Sequence, residues 1–155
     1  LIEQNMLTKP LLYISAFFEA TRSEYYKQLY SVSKDGTWHD WLMYFLNGVA
    51  VQSQDSLSRI ERINQLLDKW KAEVADTSSA VTAAIIDQIV VNPYLTTNGI
   101  AQRLDIAYST AQRSIKKLED ANIIKQTSSG KRDKVYCAQE ILKILEEPAQ
   151  TTVTE

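Results

Sequence analysis

Six side chains able to donate hydrogen bonds or positive charge, Ser109, Thr110, Gln112, Arg113, Lys116 and Lys117, sit within one stretch. There, Ala111, Ile115 and Leu118 recur at helical spacing. At 3.6 residues per turn the three apolar residues share one face, and the donors, with Tyr108 at the start of the stretch, take the rest. Such a helix can bury one side and offer the other to a polyanion. Gln112 and Arg113 each carry paired polar groups, which suit two-point hydrogen bonding to the edge of a base. Lys131, Arg132 and Lys134 form a second basic stretch whose chemistry suits phosphate oxygens. The rival uses of these cations are a solvated helix face and docking on an acidic protein surface.

Holding that face in place requires a frame, and the sequence from Leu95 to Cys137 spells one out. Thr96 or Thr97 can cap a short helix through Ile100, Ala101 and Leu104, and Asp105 makes a tight turn before the donor-bearing helix. Asn122 is expected in the left-handed conformation that ends this helix. Ile123–Gln126 and Lys134–Cys137 read as two strands joined by a polar, glycine-containing loop. The pattern predicts a winged helix-turn-helix. It departs from the usual form in three respects: Ala107 stands where a capping serine is common, Tyr108 where a basic residue is common, and the region from Ser79 to Glu147 is close to neutral. An amphipathic helix from Val81 to Val91, ended by Asn92-Pro93, precedes it, and a last helix runs from Ala138 to Glu147.

In front of this domain the pattern is helical throughout. Ser15 can cap a helix carrying Phe18, Arg22, Tyr25, Tyr26 and Leu29, and Lys34-Asp35-Gly36 stops it with a glycine suited to a left-handed cap. Thr37 to Asp40 has the spacing of a capping box, with aspartate for the usual glutamate. From Leu42 to Val74 one apolar stripe persists without a proline, predicting a helix of roughly 50 Å at 1.5 Å per residue. Such a helix is the expected arm between two domains, or the surface of a homodimer. The expected organisation is therefore a helical part over 1–76, a linker at 77–80, the winged helix over 81–147 and a disordered tail at 148–155. The fold class is mainly α with a small β-hairpin wing.

The chain of 155 residues has 17 Lys and Arg against 19 Asp and Glu, a formal net charge of -2. That balance argues against nonspecific coating of nucleic acid and confines any polyanion footprint to the locally basic segment from Arg103 to Lys134. One cysteine, Cys137, excludes an intrachain disulfide, and one histidine, His39, excludes a metal site built on several imidazoles of one chain. With no run of about 20 apolar residues and no recognisable signal peptide, a reduced cytoplasmic setting without membrane association is expected. Because the sequence starts at Leu1 rather than Met, it is read as a trimmed piece of a longer protein.

Three groups of residues in the front half belong together: Pro10-Leu11-Leu12-Tyr13-Ile14-Ser15, then Arg22-Ser23-Glu24-Tyr25-Tyr26 with Leu29, then Gly36, Trp38, Trp41-Leu42, Phe45-Leu46 and Gly48-Val49. In this order they resemble the part of the Fic (Fic/Doc) family that follows its catalytic motif, and many bacterial members also carry a winged helix after that region. The resemblance implies a protein-AMP transferase that moves AMP from ATP to a hydroxyl of a target protein, with a divalent metal such as Mg. It further implies that Tyr25 contacts the nucleotide, while a later contact that is asparagine in some relatives falls at Ser33. The family's catalytic histidine, metal-binding acid and glycines have no counterpart in this sequence, so no catalytic or metal-ligating residue is assigned and the chain alone is expected to be inactive.

Two functions follow. One is the C-terminal piece of a Fic-type adenylyltransferase whose winged helix binds DNA or regulates the enzyme. The other is a plain winged-helix transcription regulator whose helical front senses a ligand or dimerises.

Overall fold

A computed structural model describes residues 13–75, 80–130, 134–148 and 150–152. The chain forms two compact units, one from the residues up to Ile60 together with those from Pro148 onward, the other from Glu61 to Glu147. Pro10 to Leu12 of the Fic-like pattern, residues 77–79 of the expected linker, and Lys131 and Arg132 of the wing lie outside the described residues.

The first unit contains α1 (Ile14–Ala20), α2 (Arg22–Asp35) and the first part of α3 (Trp38–Glu73). The single helix expected after Ser15 is instead broken at Thr21, whose hydroxyl donates to the Phe17 carbonyl at 2.7 Å and bonds the Tyr44 hydroxyl at 2.6 Å. Gly36 ends α2 at φ 68°, the left-handed cap the sequence predicts. Thr37 does not form the expected capping box, since its buried hydroxyl has no partner. Gly48 is required where α1 crosses α3: a Cβ there would stand 2.6 Å from a ring carbon of Phe17. Around this crossing Phe18 stacks on Tyr25 at 4.9 Å and lies 6.2 Å from Trp41, so aromatic rings provide most of what binds these helices. Part of the expected disordered tail has defined contacts. The carbonyl of Pro148 accepts from Arg59 at 3.1 Å, and that of Gln150 from Gln52 at 3.2 Å.

The second unit begins inside α3, not at the expected linker. Its core joins Leu67 and Trp70 of α3, and Val74 just after it, to Ile85, Ile86 and Ile89 of α4 (Ala80–Val91) and to Ile115 and Leu118 of α6 (Tyr108–Asp120). Between α4 and α6 come β1 (Tyr94–Thr96) and α5 (Thr97–Arg103); after α6 come β2 (Lys125–Gln126), β3 (Val135–Cys137) and α7 (Gln139–Leu145). The three strands form one antiparallel sheet in the order β1-β3-β2, with Leu95 opposite Tyr136 and Lys125 opposite Cys137. Arg62 and Glu147 make a bidentate pair between α3 and the end of α7, and Lys71 reaches Asp87 of α4 at 2.5 Å. Among the described residues no helix is long and apolar enough to cross a membrane.

Candidate nucleic-acid interface

The frame around α6 follows from turn chemistry. Thr96 accepts from the Gly99 N–H at 3.0 Å and so caps α5. Asp105, at φ 50°, turns the chain between α5 and α6, and Asn122, at φ 59°, ends α6; both are residue types that tolerate the left-handed region. The Ile123 N–H then reaches back to the Leu118 carbonyl at 2.9 Å, closing the helix end and directing Ile123 and Ile124 into the core. Two short elements and two special backbone positions thus fix the rotation of α6 about its axis.

That rotation buries Ala111, Ser114, Ile115 and Leu118. Tyr108, Ser109, Gln112, Arg113 and Lys116 are exposed, while Thr110 and Lys117 are half-buried. The first two turns therefore present Ser109, Gln112 and Arg113 side by side, and among the described residues nothing ties down the Arg113 guanidinium. Ala107, at the N-cap position, makes no side-chain capping bond.

Lys116 stands differently. Its ammonium lies 2.7 Å from Asp120 and 3.5 Å from Glu119, and the bond and charge of Asp120 hold its pKa above the usual lysine value. The last turn of α6 is thus an ion-paired, partly acidic end, and Lys116 belongs to it rather than to the open donor row. The spacings of three and four residues that allow this pairing were visible in the sequence.

Lys134 is exposed at the start of β3, where the Val135 N–H donates to the Ser128 hydroxyl at 3.0 Å and the Thr127 N–H to the Val135 carbonyl at 2.8 Å. These bonds shape the described base of the wing. Exposed cations near α6 that lie outside the sequence-derived set include Lys125 on β2 and Arg103 at the end of α5. Arg103 borders a hollow of about 260 Å³ with Thr96, Gly99 and Val135. Helical periodicity assigns α5 its apolar side but gives no reason to single out one terminal arginine.

A comparison with known protein families matches residues 81–125 to the family described as winged helix-turn-helix DNA-binding. This part of the chain is a winged helix-turn-helix. The match takes in α4, α5 and α6 and reaches the first residue of β2; the segments that resemble the Fic family lie outside it. The sheet of the winged helix has one strand more than the sequence predicts. Tyr94–Thr96 pairs with β3, and the Ala138 N–H bonds the Pro93 carbonyl at 3.0 Å, so the wing is anchored to the entrance of α5.

Elsewhere, Tyr25 is half-buried with its ring against Phe18, Tyr26 and Trp41. Cys137 is buried at the inner end of β3, and burial pushes its thiol pKa up, the opposite of what a reactive thiolate needs. His39 is exposed on the first turn of α3. Among the described residues no three His, Cys, Asp or Glu side chains converge as a metal site.

Proposed function

We propose that this protein is a winged-helix regulator that docks on duplex DNA with the first turns of α6 in the major groove and the wing along the phosphate backbone. The observation that carries the reading is the division of α6 between a fully buried apolar face and an open row of Ser109, Gln112 and Arg113. The family match over 81–125 supports it. Arg113 and Gln112 are assigned to base edges, with Lys134, Lys125, Arg103 and, from the sequence alone, Lys131 and Arg132 assigned to phosphates. The helical unit before Ile60 then has the role of a sensing or dimerising part.

Anisotropy titrations of labelled duplexes at several salt concentrations test this. With about five phosphates neutralised, log K against log salt is expected to slope near -4 to -5. Absence of binding even at low salt would remove DNA as the partner and leave the basic wing to an acidic protein surface.

A second expectation follows from the pair at the end of α6. Changing Asp120 to Asn removes the closest partner of Lys116 and one negative charge from the DNA side. Affinity should rise for all duplexes, and the salt slope should steepen by about 0.9 as Lys116 gains a phosphate. An unchanged slope would show that the last turn stays clear of the backbone.

A second reading keeps the Fic resemblance: the chain as the C-terminal piece of a protein-AMP transferase, with ATP and Mg bound by the whole enzyme and a hydroxyl-bearing target protein as substrate. It is favoured by one observation, that Tyr25, Trp41, Phe45 and Gly48, which carry the resemblance, lie at the crossing of the first three helices. Among the described residues no three His, Cys, Asp or Glu side chains converge to hold a metal, and no step of transfer is assigned to them. The encoding reading frame separates the two readings. A Fic catalytic motif directly upstream of the present residues supports the transferase, and a start codon there supports the regulator.

A further inference from the structure

We propose that the α2–α3 hairpin of the first unit is the dimerisation surface of this protein, and that its occupant is the same hairpin of a second copy, the two together forming a four-helix bundle. Contacts run from Tyr25 against Trp41 to Thr21 against Tyr44, so that α3 positions rise as α2 positions fall and the two helices are antiparallel. At about 100° per residue, this arrangement brings Tyr26 and Tyr30 of α2 to the same side of the hairpin as Leu42 and Leu46 of α3. All four are more than half exposed, as is Trp38 at 62%.

Three observations identify another helix pair as the occupant. Leu42, Leu46, Val49, Ser53, Ser56 and Ile60 follow one another by alternating steps of four and three, the spacing of a helix–helix seam. The same seam continues through Ile63, Leu67, Trp70 and Val74, and in the second unit it is filled by core side chains. Upstream of Ile60, Val49, Ser53 and Ser56 of the stripe are half-buried, while Leu42 and Leu46 are more than half exposed. Secondly, the two polar seam residues are already satisfied: Ser53 donates to the Val49 carbonyl and Ser56 to the Gln52 carbonyl, each at 2.7 Å. They can enter an apolar contact without leaving a bare donor.

The third observation is one of area. Among the described residues of this unit only Phe17 and Val51 are buried hydrophobics. The exposed large apolar side chains of α2 and α3 present on the order of 1,000 Å² per copy, against the ~800 Å² that each partner contributes to a standard stable interface. The seam carries no charge, and Asp55, which borders it, is paired with Arg59 at 2.9 Å. On the α2 side Arg22 lies over the Tyr26 ring and Lys34 over the Tyr30 ring, each at 5.7 Å, so cations border an apolar centre. In a two-fold contact each side chain meets the same patch on its partner. Joining two hairpins in this way gives a bundle with apolar positions inside, as in other four-helix bundles.

The test uses the full chain. Sedimentation equilibrium from about 1 to 100 µM should give twice the chain mass of 17.6 kDa at the upper end. The double variant Leu42→Glu, Leu46→Glu should stay at 17.6 kDa throughout. Because that variant could also lose helix, Trp38 provides an independent readout in the unaltered sequence. The fluorescence difference between it and Trp38→Phe should become shielded from acrylamide as concentration rises. A chain that stays monomeric at every concentration, or a Trp38 equally open to quencher in the dimer, overturns the proposal and assigns the face to a different protein.

Discussion

Replacing Arg113 with alanine is expected to weaken binding to a preferred duplex by about 1 to 3 kcal/mol and to flatten the difference between preferred and random sites. The expectation rests on what the side chain is doing in the free protein. Arg113 is exposed, lies on the face of α6 opposite Ile115, and has no ion pair within the chain among the described residues, so its removal leaves the fold intact. Lys134→Ala, at the wing, should instead lower affinity for every sequence alike, because a phosphate oxygen carries no base identity. Competition titrations with a selected site and a scrambled one measure both quantities. Equal losses on all duplexes for both variants would place α6 against the backbone rather than in the groove.

Much of this site was legible because it depends on local chemistry. The turn at Asp105, the left-handed Asn122 and the separation of Ala111, Ile115 and Leu118 from the donors each follow from residue type and spacing within one short stretch. What the sequence concealed depends on neighbours. Tyr94-Leu95-Thr96 is too short to show a strand period and becomes β1 only by pairing with β3. Lys116 reads as a free donor only while its acidic companions at spacings of three and four are left out. Thr37 has the spacing of a cap but ends with its hydroxyl buried and unbonded, for which nothing in the structure offers a reason.

The division of the chain was hidden for a different cause. The stripe on α3 keeps the same period from Leu42 to Val74, and periodicity reports that a face is apolar without saying what covers it. A polar stretch at 77–80 therefore looked like the boundary, while the compact units divide after Ile60.

Removing the second half of α3 is accordingly expected to unfold the winged helix, although every element of its helix-turn-helix and wing would remain. Leu67, Trp70 and Val74 are 8%, 2% and 3% exposed, in one cluster with Ile85, Ile89 and Ile115. Full burial of an aliphatic side chain stabilises by about 1.5–3 kcal/mol, and truncating a buried tryptophan removes about 3–5 kcal/mol. Against a typical net stability of about 5–15 kcal/mol, loss of all three leaves little margin. The surface pairs Lys71–Asp87 and Arg62–Glu147 add at most about 1 kcal/mol each and do not alter that balance. Thermal melts followed by circular dichroism should show a cooperative transition for a fragment of residues 61–147 and none, or one far lower, for residues 80–147. Within the full chain, Trp70→Ala should lower the melting temperature of this unit by more than about 10 °C. If residues 80–147 melt within a few degrees of 61–147, the second half of α3 merely rests on a domain that is complete without it. The boundary suggested by the polar stretch would then be the physical one.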